Sequence, residues 1–141
     1  MKKIFLITAV ITGLILASCS ILSGGEEADL RGTNWKLISY GGKLPIEGKT
    51  MTANFDGKEL SGSASCNHYF GAYQIKGSQI SIEGLGWTEM ACMDPEGIME
   101  QEQVIMNMLS KSDTFTLQGD RLEIIITTGE SLIFEKIYLV D

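Results

Sequence analysis

Arg121-Leu-Glu-Ile-Ile-Ile-Thr127, with Thr114–Leu117 before it and Ser131–Ile137 after it, decides the fold class. Gly119-Asp120 and Gly129-Glu130 separate these runs, and glycine beside an acidic residue suits the backbone of a tight turn. Three short apolar runs divided by such turns read as an antiparallel meander. The same grammar extends upstream. Trp35–Tyr40 stops at Gly41-Gly42, and Thr50–Phe55 reaches Asp56-Gly57, a strong hairpin signal. Glu59–Ser65 resumes the sheet, with Gly62 marking a bulge or a close approach. Tyr69–Ile75 leads to Lys76-Gly77-Ser78, and Gln79–Glu83 returns. There Ile80 and Ile82 share one face while Gln79, Ser81 and Glu83 share the other, the pattern of a half-buried strand.

One stretch breaks the alternation. Asp94 can cap a helix whose first position is Pro95, and acidic residues follow in the first turn. Ile98, Glu102, Ile105 and Leu109 recur at helical spacing with Met108 beside them, and Lys111 stands near the end. The pattern predicts one helix over Pro95–Ser110. The expected class is α+β: a curled, barrel-like antiparallel sheet of seven or eight strands packed around one helix. Curling also hides sheet edges.

The N-terminus carries a different message. Lys2 and Lys3 precede Ile4–Leu16, an uncharged apolar run too short to cross a hydrocarbon core of about 30 Å. It fits the central region of a secretory signal peptide. Leu16-Ala17-Ser18-Cys19 resembles the bacterial lipobox, in which the cysteine is acylated and the chain is cut before it. The alternative is an ordinary secreted protein with a cysteine there by chance. The reading divides the chain into a lipoprotein signal peptide over 1–18, a lipidated tether over 19–29 and one domain over 30–141. The tether, with Ser23, Gly24, Gly25, Glu26, Glu27 and Asp29, has little apolar surface to offset the entropy of ordering. Ser20 is compatible with outer-membrane sorting, and the tether's acids resemble signals for surface display. The expectation is an outer-membrane or cell-surface lipoprotein rather than an inner-membrane one, held to the membrane through the acyl group on Cys19.

Cleavage would remove two of the 11 Lys and Arg residues and leave nine against 18 Asp and Glu, a balance of −9. No Lys/Arg cluster survives to follow a phosphate backbone, which argues against nucleic acid as a partner. Of the three cysteines, Cys19 is assigned to lipid, leaving Cys66 and Cys92. Two cysteines in an oxidising compartment are expected to pair, two buried thiols being the alternative. Closing a loop of about 27 residues stabilises by roughly 3.5 kcal/mol in the chain-entropy view.

The segment Gly62-Ser-Ala-Ser-Cys66-Asn67-His-Tyr-Phe70-Gly71-Ala-Tyr73 resembles the G-x-x-x-C-N-x-[FY]-x-G-x-Y signature of META domains, also called HslJ-like domains. Further pieces agree in order. Gly32-Thr33-x-Trp35-x-Leu37 is similar to the family's opening strand, and Thr88-Glu-Met90-Ala91-Cys92 to its T-x-M-A-C stretch. Glu100-Gln-Glu102 matches its acidic helix start, and Asp120-x-Leu122 with Leu132-x-Phe134 its closing hairpin. The resemblance spans Leu30 to Ile137. It implies a compact sheet wrapped around a helix, often on an envelope lipoprotein, with associations to heat or antibiotic stress and no established enzymatic activity. The fold is also similar to that of small pilot lipoproteins that hold secretin subunits or a lipid.

Chemistry is sparse. Cys66 and His68 would face one side of a strand, so a cysteine nucleophile is conceivable, but no orienting third group is recognisable and a paired Cys66 offers no thiolate. His68 is the single histidine, and the acids around it lack zinc-ligand spacing. Met90, Met93, Met99, Met106 and Met108 could form a soft-metal site or an adaptable groove, against the plainer reading of irregular core filling. Glu96, Glu100 and Glu102 read as a solvated helix face, there being no Asp-x-Asp-x-Asp calcium loop. The expectation is a non-enzymatic envelope lipoprotein, without cofactor or metal, that binds envelope proteins or serves a stress response. The alternative is a carrier of lipid or a small apolar ligand.

Overall fold

The computed structural model describes residues 28–138. The signal peptide, Cys19 and most of the tether lie outside the described residues. Eight strands run β1 Thr33–Tyr40, β2 Thr52–Phe55, β3 Glu59–Ser63, β4 His68–Lys76, β5 Gln79–Trp87, β6 Ser112–Gln118, β7 Arg121–Ile126 and β8 Ser131–Ile137. One helix, α1 Ile98–Leu109, joins β5 to β6. Each strand pairs with its chain neighbour in antiparallel fashion, and β8 pairs back onto β1, closing a barrel in sequence order. The expected α+β class is what the chain forms.

Alternation sets which side chains turn inward. In β4 Tyr69, Gly71 and Tyr73 are buried while His68, Phe70 and Ala72 are exposed. In β7 Leu122, Ile124 and Ile126 point to the core, and β8 adds Leu132 and Phe134. Trp35, Phe55, Tyr69 and Phe134 fill the interior with almost no exposure. Ile105, Met106, Met108 and Leu109 of α1 belong to the same core. Antiparallel order places the β1–β2 loop, the turn over 64–67 and both ends of the β5–α1–β6 connection on one rim, so α1 closes that mouth of the barrel.

Two close backbone approaches along β3–β5 explain glycines that a simple strand would not need. A Cβ on Gly62 would sit 2.0 Å from the carbonyl oxygen of Thr52. The same oxygen accepts a 2.7 Å hydrogen bond from the Tyr69 hydroxyl, and burial pushes that phenol well above the usual tyrosine range. In the β4–β5 ladder Ala72 faces Glu83 while Phe70 faces Gly86, so Gly84 and Leu85 together oppose Gly71. This is a bulge, and a Cβ on Gly71 would lie 3.1 Å from the Glu83 carbonyl oxygen.

Two boundaries depart from expectation. β5 continues past Glu83 to Trp87, because the bulge absorbs the irregular Gly84-Leu85 step that hides strand alternation. The helix begins at Ile98 rather than Pro95: Gly97 holds the N-cap with φ of 83°, so Pro95 and Glu96 form a separate turn closed by the Ile98 amide on the Pro95 carbonyl. Asp94 caps nothing.

The glycine contacts give an ordering. Gly62→Ala is expected to cost about 3 kcal/mol or more, since a backbone carbonyl must move. Gly71→Ala should cost distinctly less, because a few tenths of an ångström relieve it. Urea denaturation of both variants checks the order.

Candidate functional site

Cys66, Asn67, Thr88, Met90 and Cys92, all singled out in the sequence, converge where α1 meets the barrel rim. The turn over Ala64–Asn67 brings Cys66 and Asn67 over the mouth, with Ser65 at φ of 92° and the Ala64 amide bonded to the Asn67 carbonyl. Such a φ is costly for a residue with a side chain, so the surrounding bonds must hold it. They do. Glu102 of α1 is only 3% exposed, and its Oε2 accepts hydrogen bonds from the Asn67 amide at 2.9 Å and the Cys66 amide at 3.3 Å. Its Oε1 accepts from Asn67 Nδ2 at 2.6 Å.

Asn67 carries the network onward. Its Nδ2 also donates to the Met90 carbonyl at 3.1 Å. Its Oδ1 accepts from the Met90 amide at 2.7 Å and the Thr88 hydroxyl at 2.8 Å. Two donors and two acceptors is the full capacity of the side-chain amide, so aspartate or leucine there would leave buried partners unmatched. Thr88 and His68 add a reciprocal pair: the His68 amide donates to Thr88 Oγ1, and the Thr88 amide to the His68 carbonyl. A disulfide joins Cys66 to Cys92. The Cys92 amide reaches the Met99 sulfur at 3.5 Å. Residues 88–93 thus form a strap bound to the β3–β4 turn on one side and to α1 on the other.

Each motif residue therefore has a place. Cys66, Asn67, Thr88, Met90 and Cys92 meet in this knot, Met90 and Ala91 with outward side chains. Gly62 and Gly71 permit close backbone approaches, as above. Phe70 is 53% exposed and lies over Gly86. Tyr73 stands apart, near the opposite mouth, packed edge-on against Phe55 with ring centroids 5.0 Å apart. Burial raises its phenol, and Asp29 nearby adds to the rise. Cys19 lies outside the described residues.

Two expectations, on Glu102 and on the methionines, are corrected, and the disfavoured cysteine-nucleophile alternative finds no geometry. Cys66 occupies the turn ahead of β4, not a strand, and its sulfur is bonded to Cys92, so no Cys66–His68 pair forms. Glu102 is not part of a solvated face. It shares the buried stripe with Ile98 and Ile105, and its position within that apolar spacing was the available signal. The methionines divide: Met106 and Met108 fill core space, whereas Met90 and Met93 are 52% and 89% exposed. Among the described residues no group of three or more His, Cys, Asp or Glu is placed to hold a metal ion.

The architecture is a small closed antiparallel barrel whose helix-capped mouth is locked by a Cys-Asn turn. The model of the META domain family matches residues 28–137, and the chain belongs to that family. It is similar to a solved protein from Burkholderia xenovorans, at 28% identity and a TM-score of 0.64 over 78% of this chain and 85% of that one. A second solved protein is 24% identical with a TM-score of 0.61, over 75% and 90% of the two chains. A DUF4847 family protein from Bacteroides vulgatus, 10% identical over 79% and 96% with a TM-score of 0.55, shares the fold. No curated protein matches the chain.

The knot makes two expectations. Glu102→Ala should cost about 3 kcal/mol, because it orphans three buried donors, whereas Glu100→Ala on the exposed face should stay within about 0.5 kcal/mol. Thermal and urea unfolding compare them. Cys66→Ser and Cys92→Ser should each lower stability by roughly 3.5 kcal/mol, and the double variant by little more. Additive losses in that cycle would show that something other than their shared bond is being removed.

Proposed function

We propose that this META-domain protein is a non-enzymatic lipoprotein of the bacterial cell envelope, anchored through acylated Cys19 and acting as a protein-binding module in the response to envelope stress. One observation carries the reading. The polar groups that could have served chemistry, at Cys66, Asn67, Thr88 and Glu102, are all engaged with one another. Beside its exposed acids, the rim offers apolar side chains to the outside: Trp87, Met90 and Met93.

The filled interior supports surface binding over carriage of a lipid. Eight-stranded barrels either pack side chains inside or leave room for one small ligand, and Trp35, Phe55, Tyr69 and Phe134 take the first course. The lipobox-like Leu16-Ala-Ser-Cys19 and the short apolar run before it support the anchor.

The test uses the full-length chain in a bacterial host. Mass spectrometry is expected to find a mature N-terminus at Cys19 carrying acyl chains, and fractionation to find the protein with membranes. Cys19→Ala should shift it to the soluble fraction. Photo-crosslinking from position 93 in intact cells should then trap a defined envelope protein that a probe at exposed Glu135 does not. An intact start at Met1, or identical adducts from both positions, would remove the proposal.

A further inference from the structure

The rim beside the knot combines apolar surface and charge of one sign. Between Lys76 and Lys111 the chain has no Lys, Arg or His, yet it carries Glu83, Glu89, Asp94, Glu96, Glu100 and Glu102. Glu102 is buried in the knot, and the other five are exposed. Exposed Trp87, Met90, Met93 and Val104 belong to the same stretch. Trp87, at the end of β5, and Met99, Glu100, Glu102, Gln103 and Met106 of α1 form the walls of a groove of about 220 Å³. The β1–β2 loop, which carries Lys43 and Lys49, is held by Gln101 at the far flank of the helix: the Ile46 amide donates to its Oε1 at 2.7 Å. Gln101 and Gln103 are two residues apart and hence about 200° apart around α1. Those cations do not line the groove.

Size and charge together select the occupant. The groove is smaller than the roughly 300 Å³ at which small-molecule pockets begin, so it fits an anchoring side chain rather than a whole ligand. Its methionines are unbranched and adapt to varied apolar shapes. The exposed acids repel an anionic bilayer, and they equally repel a second copy of a chain whose net charge is −7. A segment that brings both apolar side chains and positive charge meets neither obstacle.

We propose that the groove between Trp87 and α1 docks a cationic amphipathic segment of a partner protein, with one large apolar side chain against Trp87, Met99 and Met106 and its Lys or Arg residues facing Glu96 and Glu100. This rests on the protein-binding reading above and names the partner's chemistry. The contact is partly electrostatic, so its affinity falls as ionic strength rises.

The experiment titrates the purified domain with a Leu/Lys peptide that has one apolar and one cationic helical face, and with its Leu/Glu counterpart. Calorimetry reads affinity, and tryptophan emission reads position, because Trp35 is fully buried and Trp87 is 47% exposed. The Leu/Lys peptide is expected to bind saturably and shift the emission to shorter wavelength, with the shift absent in Trp87→Phe. Reversing Glu96 and Glu100 together to Lys should weaken binding at least about tenfold. Reversing Glu59 and Glu135 changes net charge equally at distant exposed sites, and should weaken it less than about threefold. Circular dichroism confirms that the variants keep the native fold. Absence of saturable binding, equal affinity for the Leu/Glu peptide, equal loss in both double reversals, or binding without a Trp87 response would each overturn the assignment. If crosslinking in cells still traps a partner, the groove chemistry alone fails. If the peptide binds as expected but no partner is trapped, it is the cellular reading that falls.

Discussion

A single carboxylate, that of Glu102, decides how the helix sits on the barrel. It lies among apolar side chains, and a charge in that position is tolerable only when hydrogen bonds replace its water. The amides of Cys66 and Asn67 and the Asn67 side chain supply them. The requirement sets the register of α1, since advancing the helix by one residue turns it by about 100° and carries the carboxylate away from its donors. With α1 so fixed, Ile105, Met106 and Leu109 fall onto the core. Asn67, held by the same carboxylate, aligns the strap through Thr88 and Met90. The disulfide then ties covalently what the hydrogen bonds already align.

The strands were the legible part of the chain. Period-two alternation and glycine turns mark β7 and β8 almost to their ends, and β6 from Thr114, before which a register shift against β7 hides its first two residues. β5 was legible only to Glu83. Beyond it Gly84 and Leu85 form the bulge, and a bulge shifts the facing of every later residue. The helix start was obscured for a related reason. Asp94-Pro95 is a good local start signal, but Gly97 adopts a left-handed backbone and the helical path begins after it.

The knot was legible as a family pattern and not as chemistry. Nothing local says that Asn67 uses all four of its hydrogen-bonding positions, since its partners are 21 to 35 residues away. Glu102 was visible within the buried stripe of α1, yet glutamate on a helix is ordinarily solvated and its neighbours Glu96 and Glu100 are. Exposure of Met90 and Met93 follows from the strap, which is held by the Met90 backbone and by the Thr88 and Cys92 side chains, leaving the methionine side chains outside the contacts. A motif that recurs because it holds a rim together says little about what the rim touches, and fold alone does not supply the rest.

The ladder between β5 and β6 contains one register pair, Gln79 with Thr114, whereas β4 and β5 share seven. The cylinder is therefore least tightly stitched at the point where α1 interrupts it. Both sides of that gap are anchored from elsewhere: the strap fastens the outgoing chain to β3–β4, and β7 and β8 carry β6 around to β1. Such a joint tolerates added length in the turn between Met93 and Ile98, outside the strap and α1, without unzipping the wall, which makes that turn the natural place for this scaffold to acquire new surface.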